Sequence, residues 1–141
     1  MAARFPLIVD GSGTPAIKEI VSGDVLDLTG LQVKLGTEAT LTDGSTVAWD
    51  VSASPIAKLT LGGNRTLSAP TNAVGSGQYI SLLVIQDGTG SRTLTWNAVY
   101  EFTADTAPTL TTTASKGDLF TFRYNGSKWL EVGRNLNLTL S

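Results

Sequence analysis

The sequence predicts an all-β fold, an antiparallel β-sandwich or jelly roll with an extended N-terminal arm. Three observations point there. From Ser45 onward, short segments alternate apolar and polar residues, the period of a half-buried strand. No window of eleven residues sustains the 3.6-residue period of an amphipathic helix. Gly, Pro, Asn and Asp punctuate the alternating segments at the short intervals expected of sandwiches and barrels.

The composition shifts near Gly36 to Gly44, which divides the chain into an arm with short strands (1–36) and a sandwich domain (37–141). The first part carries its apolar residues in bursts between prolines and glycines. Leu7-Ile-Val9 and Ile17 come first, and alternation follows over Val25 to Leu28 and Leu31 to Leu35. Pro6 blocks regular pairing beside Phe5, and Gly11 and Gly13 loosen the chain beyond it. Phe5, Leu7, Ile8, Val9 and Ile17 are therefore expected to form an apolar surface for another subunit.

The second part opens with Thr46-Val-Ala-Trp-Asp-Val51, which alternates. Ile56-Ala-Lys-Leu-Thr-Leu61 alternates and stops at Gly62-Gly63. Gln78 to Gln86 contains the longest apolar run and has the character of a central strand. Asp87-Gly-Thr-Gly90 is a turn, and Arg92 to Asn97 another strand. Thr109 to Ala114 is β-prone but polar. Asp118 to Tyr124 and Lys128 to Val132 flank Asn125-Gly126-Ser127. Asn-Gly supplies the positive φ of a tight hairpin. A three-residue loop would set Phe120 opposite Val132 and Phe122 opposite Leu130, with all four on one face.

With 141 residues the chain has the size of a single domain. Charged residues are 16%, below the usual quarter or so, and Thr, Ser and Gly take their place. Net charge is −2 and the ten basic residues are scattered. Nucleic acid and anionic membrane surfaces demand concentrated positive charge, so neither is an expected partner. The chain has no Cys and no His, which removes thiolate chemistry, the commonest general base and the commonest metal ligand. No cofactor or metal is expected. The N-terminus carries only a three-residue apolar run, too short for a signal peptide, so synthesis and assembly in a cytoplasm are expected.

Few motifs suggest chemistry. Gly11-Ser-Gly13 and Gly88-Thr-Gly90 follow no strand-to-helix pattern and fit turns. Asp24 and Asp27 lack the dense acidic series of a calcium loop. Asp50 follows Trp49, and Glu101 lies between Tyr100 and Phe102, a pairing of carboxylates with aromatics found in sugar sites. In strands these acids point away from their aromatic neighbours, and a glycosidase would need two carboxyl groups facing across a cleft. No catalytic residue is expected. Trp49, Trp96, Tyr100 and Trp129 are candidates for interface aromatics, since Trp and Tyr favour rims and partner surfaces.

Several stretches are familiar. Arg4 to Asp10, Pro15 to Glu19 and Ser22 to Gly30 resemble the opening of tailed-bacteriophage virion proteins. Leu61-Gly-Gly-Asn-Arg-Thr-Leu67, Gln86 to Arg92 with Trp96, and Phe120 to Trp129 around Asn125-Gly126 resemble a β-sandwich module repeated across such proteins. The resemblance implies a non-enzymatic role on the virion surface. A capsid cement, or decoration, protein ranks first, because the chain lacks shaft repeats, collagen-like sequence and coiled coil. It would bind the major capsid protein across its seams and self-associate as a dimer or trimer. A tail-fibre or receptor-binding module contacting host glycans ranks second, and a carbohydrate-active enzyme third.

Overall fold

The computed structural model describes residues 36–141 and the backbone of two strands before them, β1 (Leu7–Val9) and β2 (Pro15–Ile17). The chain divides into two compact units, Met1–Val33 and Lys34–Ser141. In the first, β1 and β2 pair antiparallel, with Leu7 opposite Ile17 and Val9 opposite Pro15. Leu7, Ile8 and Val9 thus belong to a hairpin rather than a lone extended arm. Pro15 opens its strand, a place where a missing N–H is tolerated. Phe5, the Gly11 to Gly13 turn, the Asp24 and Asp27 pair and the strands expected over 25–28 and 31–35 lie outside the described residues.

The second unit is all-β, as the alternation requires, but it is not a sandwich or jelly roll. It is a β-solenoid of about three turns. The first turn carries β3 (Ala39–Thr40) and β4 (Thr46–Val47), the second β5 (Ile56–Leu61) and β6 (Arg65–Leu67), the third β7 (Tyr79–Gln86) and β8 (Leu94–Trp96). Strands β3, β5 and β7 stack in parallel, so that Ala39, Ala57 and Leu82 lie side by side. Strands β4, β6 and β8 form a second parallel sheet, in which Thr46, Thr66 and Thr95 align. A further parallel bridge joins Asp50 to Thr71.

The physical reason is at the corners. A sandwich would need consecutive strands to fold back as hairpins. Gly62 and Gly63 instead carry the chain from β5 into the other sheet. The turn is held by Arg65, whose Nε and Nη2 donate to the two carboxylate oxygens of Asp43 at 2.6 Å each. This two-pronged contact fixes one corner onto the corner below it.

The coil ends in antiparallel pairing. After β9 (Tyr100–Glu101) and a short 3-10 turn (Thr103–Asp105), β10 (Lys116–Tyr124) adds to β7, and β11 (Trp129–Thr139) adds to β10. Strand β9 then pairs in parallel with the start of β11. The expected polar strand over Thr109 to Ala114 is irregular chain, although Leu110 is buried. The core lies inside the coil. Ala57, Leu59 and Leu61 of β5, Ile80, Leu82 and Val84 of β7, and Phe120 and Phe122 of β10 all point inward and are buried. One end of this inward face is polar: Gln86 and Asp118 are buried there, each tied to loop backbone.

The Asn125-Gly126 hairpin is present, in a different register from the expected one. Asn125 N–H donates to Lys128 O, Tyr124 faces Trp129, and Phe122 faces Glu131. An irregularity between Thr121 and Phe122 then shifts the pairing, so Phe120 faces Arg134 rather than Val132. Val132 is left exposed. The loop holds four residues rather than three, which displaces every pair by one, and the bulge displaces the pairs from Thr121 onward by one more. Gly126 has φ +99°, and an added Cβ there would find only the Ser76 Cβ, 3.8 Å away. Strain without collision sets the effect of substitution. Gly126→Val is expected to cost about 1–3 kcal/mol in denaturant melts, and Gly126→Asn clearly less. Equal effects would contradict the positive-φ turn.

Candidate functional site

The last turn of the coil and the hairpin beyond it build a pocket of about 230 Å³. Its construction starts at β8. Trp96 stands at the end of this strand, half-buried, with its ring among four others. The centroids of Tyr100, Phe102 and Phe120 lie 5.3, 5.2 and 5.0 Å from it in edge-to-face contact, and Phe122 lies at 5.7 Å. Such packing fixes the indole and adds to simple burial. The Trp96 Nε1–H is buried and has no acceptor among the described residues, an unmet donor of the kind that native proteins seldom leave.

The chain then turns through Asn97, whose Oδ1 accepts the Val99 N–H at 3.0 Å. Strand β9 follows, with Tyr100 buried and Glu101 partly exposed, as alternation demands. Burial pushes the Tyr100 phenol well above its ordinary pKa. The 3-10 turn brings Asp105 to the rim, beside Ala107 and Phe102.

The fourth wall comes from the hairpin. Parallel pairing of Trp129 with Tyr100 sets Lys128 against the pocket. Its Nζ donates to Ala98 O and to Glu101 Oε2, each at 2.9 Å. Asp105 is hydrogen-bonded to Glu101, and this bond, followed by the Lys128 contact and charge, holds the Glu101 carboxyl below its ordinary range. The same bond and the Glu101 charge hold the Asp105 carboxyl above its ordinary range. The rim is thus an acid–acid pair with one lysine already engaged.

Of the four candidate interface aromatics, Trp49, Tyr100 and Trp129 are buried in the domain's own core. Trp49 Nε1 donates to Ser54 O at 3.0 Å, and Trp129 stacks on Tyr124 at 4.6 Å. Trp96 alone of the four keeps part of its surface. Asp50 is exposed and is bound by Ser52 and Asn72, a turn-stabilising role with no aromatic wall beside it. The side chains of the expected arm residues Leu7, Ile8, Val9 and Ile17 lie outside the described residues. Asp105 and Lys128 were not legible as site residues: Asp105 reaches the rim through the 3-10 turn after β9, and Lys128 through the parallel pairing of β9 with β11.

Among the described residues, a short β-solenoid closed by a hairpin presents a small aromatic pocket at its closing end. Residues 37–129 match the family described as a putative phage tail fibre C-terminal domain. The match spans well over half of the chain, which belongs to this family and is a structural component of a tailed-phage virion, of the tail-fibre type. This membership favours the tail-fibre alternative over the capsid cement role ranked first from sequence, for which the comparisons give no support. No curated protein and no solved structure gives a match.

Proposed function

We propose that this domain is a receptor-binding module of a tail fibre that contacts host-surface glycans through the pocket around Trp96, and that it binds without catalysis. The pocket is the observation that carries the proposal. It combines an aromatic wall, onto which the apolar face of a sugar ring can pack, with carboxyl groups that accept hydrogen bonds from hydroxyls. The surrounding rings are locked against one another, so little side-chain entropy is lost on binding.

Binding rather than hydrolysis follows from the acid pair. Glu101 and Asp105 line the same pocket and perturb each other's protonation. A retaining glycosidase holds its two carboxyl groups about 5–5.5 Å apart with the scissile bond between them, and an inverting enzyme holds them farther still. Two acids coupled on one rim do not flank a scissile bond from opposite sides. One small pocket binds weakly, and the repetition of fibres on a virion multiplies such contacts through effective concentration.

The test is adsorption. Purified domain, fluorescently labelled, should bind the bacteria that its phage infects, and an excess of unlabelled domain should block phage attachment. Periodate oxidation of the cell surface should abolish both effects. Failure to bind cells, or binding insensitive to periodate, would overturn the glycan assignment.

A further inference from the structure

Resting on that glycan-binding function, we propose that the Trp96 pocket selects a single non-acidic hexose ring, tightest when the ring carries a free amino group, and rejects acidic sugars. Size is the first constraint. The pocket holds about 230 Å³, short of the roughly 300–1,000 Å³ of sites for drug-sized ligands, which leaves room inside for one ring, with any further sugar of a chain outside it. The small side chains of Ala98 and Ala107 on its lining keep that room open.

Charge is the second constraint. Lys128 is the cation on the pocket wall, and its ammonium is engaged by Ala98 O and Glu101 Oε2. It is poorly placed to receive a ligand anion. Glu101 and Asp105 offer lone pairs beyond those used between them, because a carboxyl group has about four acceptor positions. The rim therefore asks the ligand for donors. Hydroxyls supply them, and an ammonium supplies them with charge, strengthened further by attraction to an indole face. A uronate, sulfate or phosphate would place a second negative charge beside the acid pair. Like-charge contact of this kind is how binding sites exclude wrong partners.

Tryptophan fluorescence tests this on the intact chain. Trp49 and Trp129 are fully buried, so a ligand-dependent change reports Trp96. The probes are hexosamine, hexose and hexuronate monosaccharides of the gluco and galacto series. At neutral pH, one hexosamine and its parent hexose should give saturable changes. The matching uronate should bind at least tenfold more weakly than the hexosamine. In Glu101→Gln/Asp105→Asn the hexosamine should weaken at least tenfold and the preference over uronate should disappear. Should that variant fail to fold, the comparison of the three sugars on the native protein decides. Equal binding of uronate and hexosamine, hexosamine binding unchanged in a folded variant, or no saturable change with any probe would overturn the proposal. If the probes fail while the domain still binds cells in a periodate-sensitive way, the glycan function stands and this ligand class falls; if both fail, both fall.

Discussion

Asp118→Ala is expected to lower the stability of the domain by about 2–4 kcal/mol, because it removes a buried carboxyl group that accepts three hydrogen bonds at once. Asp118 lies on β10, 2% exposed, on the same inward face as Phe120 and Phe122. Its Oδ2 accepts the Thr111 N–H at 2.7 Å. Its Oδ1 accepts the Thr111 hydroxyl at 2.7 Å and the Asn137 N–H at 2.9 Å. Asn137 has φ +59° and sits where the β10–β11 register breaks between Gly117 and Leu119. One side chain thus fastens three parts of the chain: the irregular segment before β10, β10 itself, and the bulged half of β11. A donor left unpaired costs about 1–3 kcal/mol where it is shut off from water and less where water enters, as it can beside the exposed Asn137. Asp118→Asn keeps the size but turns an N–H₂ group toward these donors, so it should recover only part of the loss. Thr111→Val, which removes the hydroxyl alone, should cost about 1 kcal/mol. Urea melts of the three variants give the ranking. An Asp118→Ala loss no larger than that of Thr111→Val would show that the carboxyl group is not the fastening.

Strand content was legible in the sequence, and strand partnership was not. Ile56–Leu61 and the heart of Gln78–Gln86 were read correctly because alternation depends only on which side chains face the core. Alternation is silent on direction. The same Ala57, Leu59 and Leu61 face inward whether the neighbour runs parallel or antiparallel. What distinguishes the two is the connection, and here corners replace hairpins. A solenoid announces itself by a repeat, but the stretch from Pro70 to Gln78 lengthens the passage from the second turn to the third, and the turn from Asp87 to Thr93 lengthens the third. No fixed spacing then relates Ala39, Ala57 and Leu82. The hairpin at Asn125-Gly126 was legible from its turn chemistry, and its register failed first on a loop of four residues instead of three and then on a bulge, neither of which leaves a mark in composition. The site follows the same division. Glu101 between Tyr100 and Phe102 was visible as a sugar-site ingredient. Its neighbour Asp105 is set by the local 3-10 turn, which the sequence does not announce, and Lys128 comes from the hairpin, joined to Glu101 only by the closure of the fold.

Gly90→Val is expected to cost about 3–5 kcal/mol, combining backbone strain with a collision that the surroundings cannot relieve. Gly90 is buried with φ +75°, in the turn that follows β7. An added Cβ would stand 2.5 Å from Thr112 O and 2.8 Å from the Ala114 N, both backbone atoms. Neither can swing aside as a side-chain tip could. The surrounding turn is also fixed. Asp87 Oδ1 accepts the N–H groups of Thr89 and Gly90 at 2.9 and 2.8 Å, while Oδ2 receives Arg92 Nε and Nη2 at 3.0 and 2.9 Å. The Arg92 contact and the Gly90 N–H hold the Asp87 carboxyl below its ordinary range. Ser91 N–H donates to Thr112 O and Ser115 N–H to Asp87 O, at 2.8 and 3.1 Å, so the turn is laced to the segment that any side chain at position 90 would strike. Gly88, two residues earlier in the same turn, is exposed and has nothing within 4 Å of a built Cβ. Gly88→Val should therefore stay within about 0.5 kcal/mol of the native protein. Thermal melts of the pair, in one buffer, separate a close backbone contact from a general intolerance of the turn. Similar losses at 88 and 90 would remove the contact with Thr112 and Ala114 as the cause.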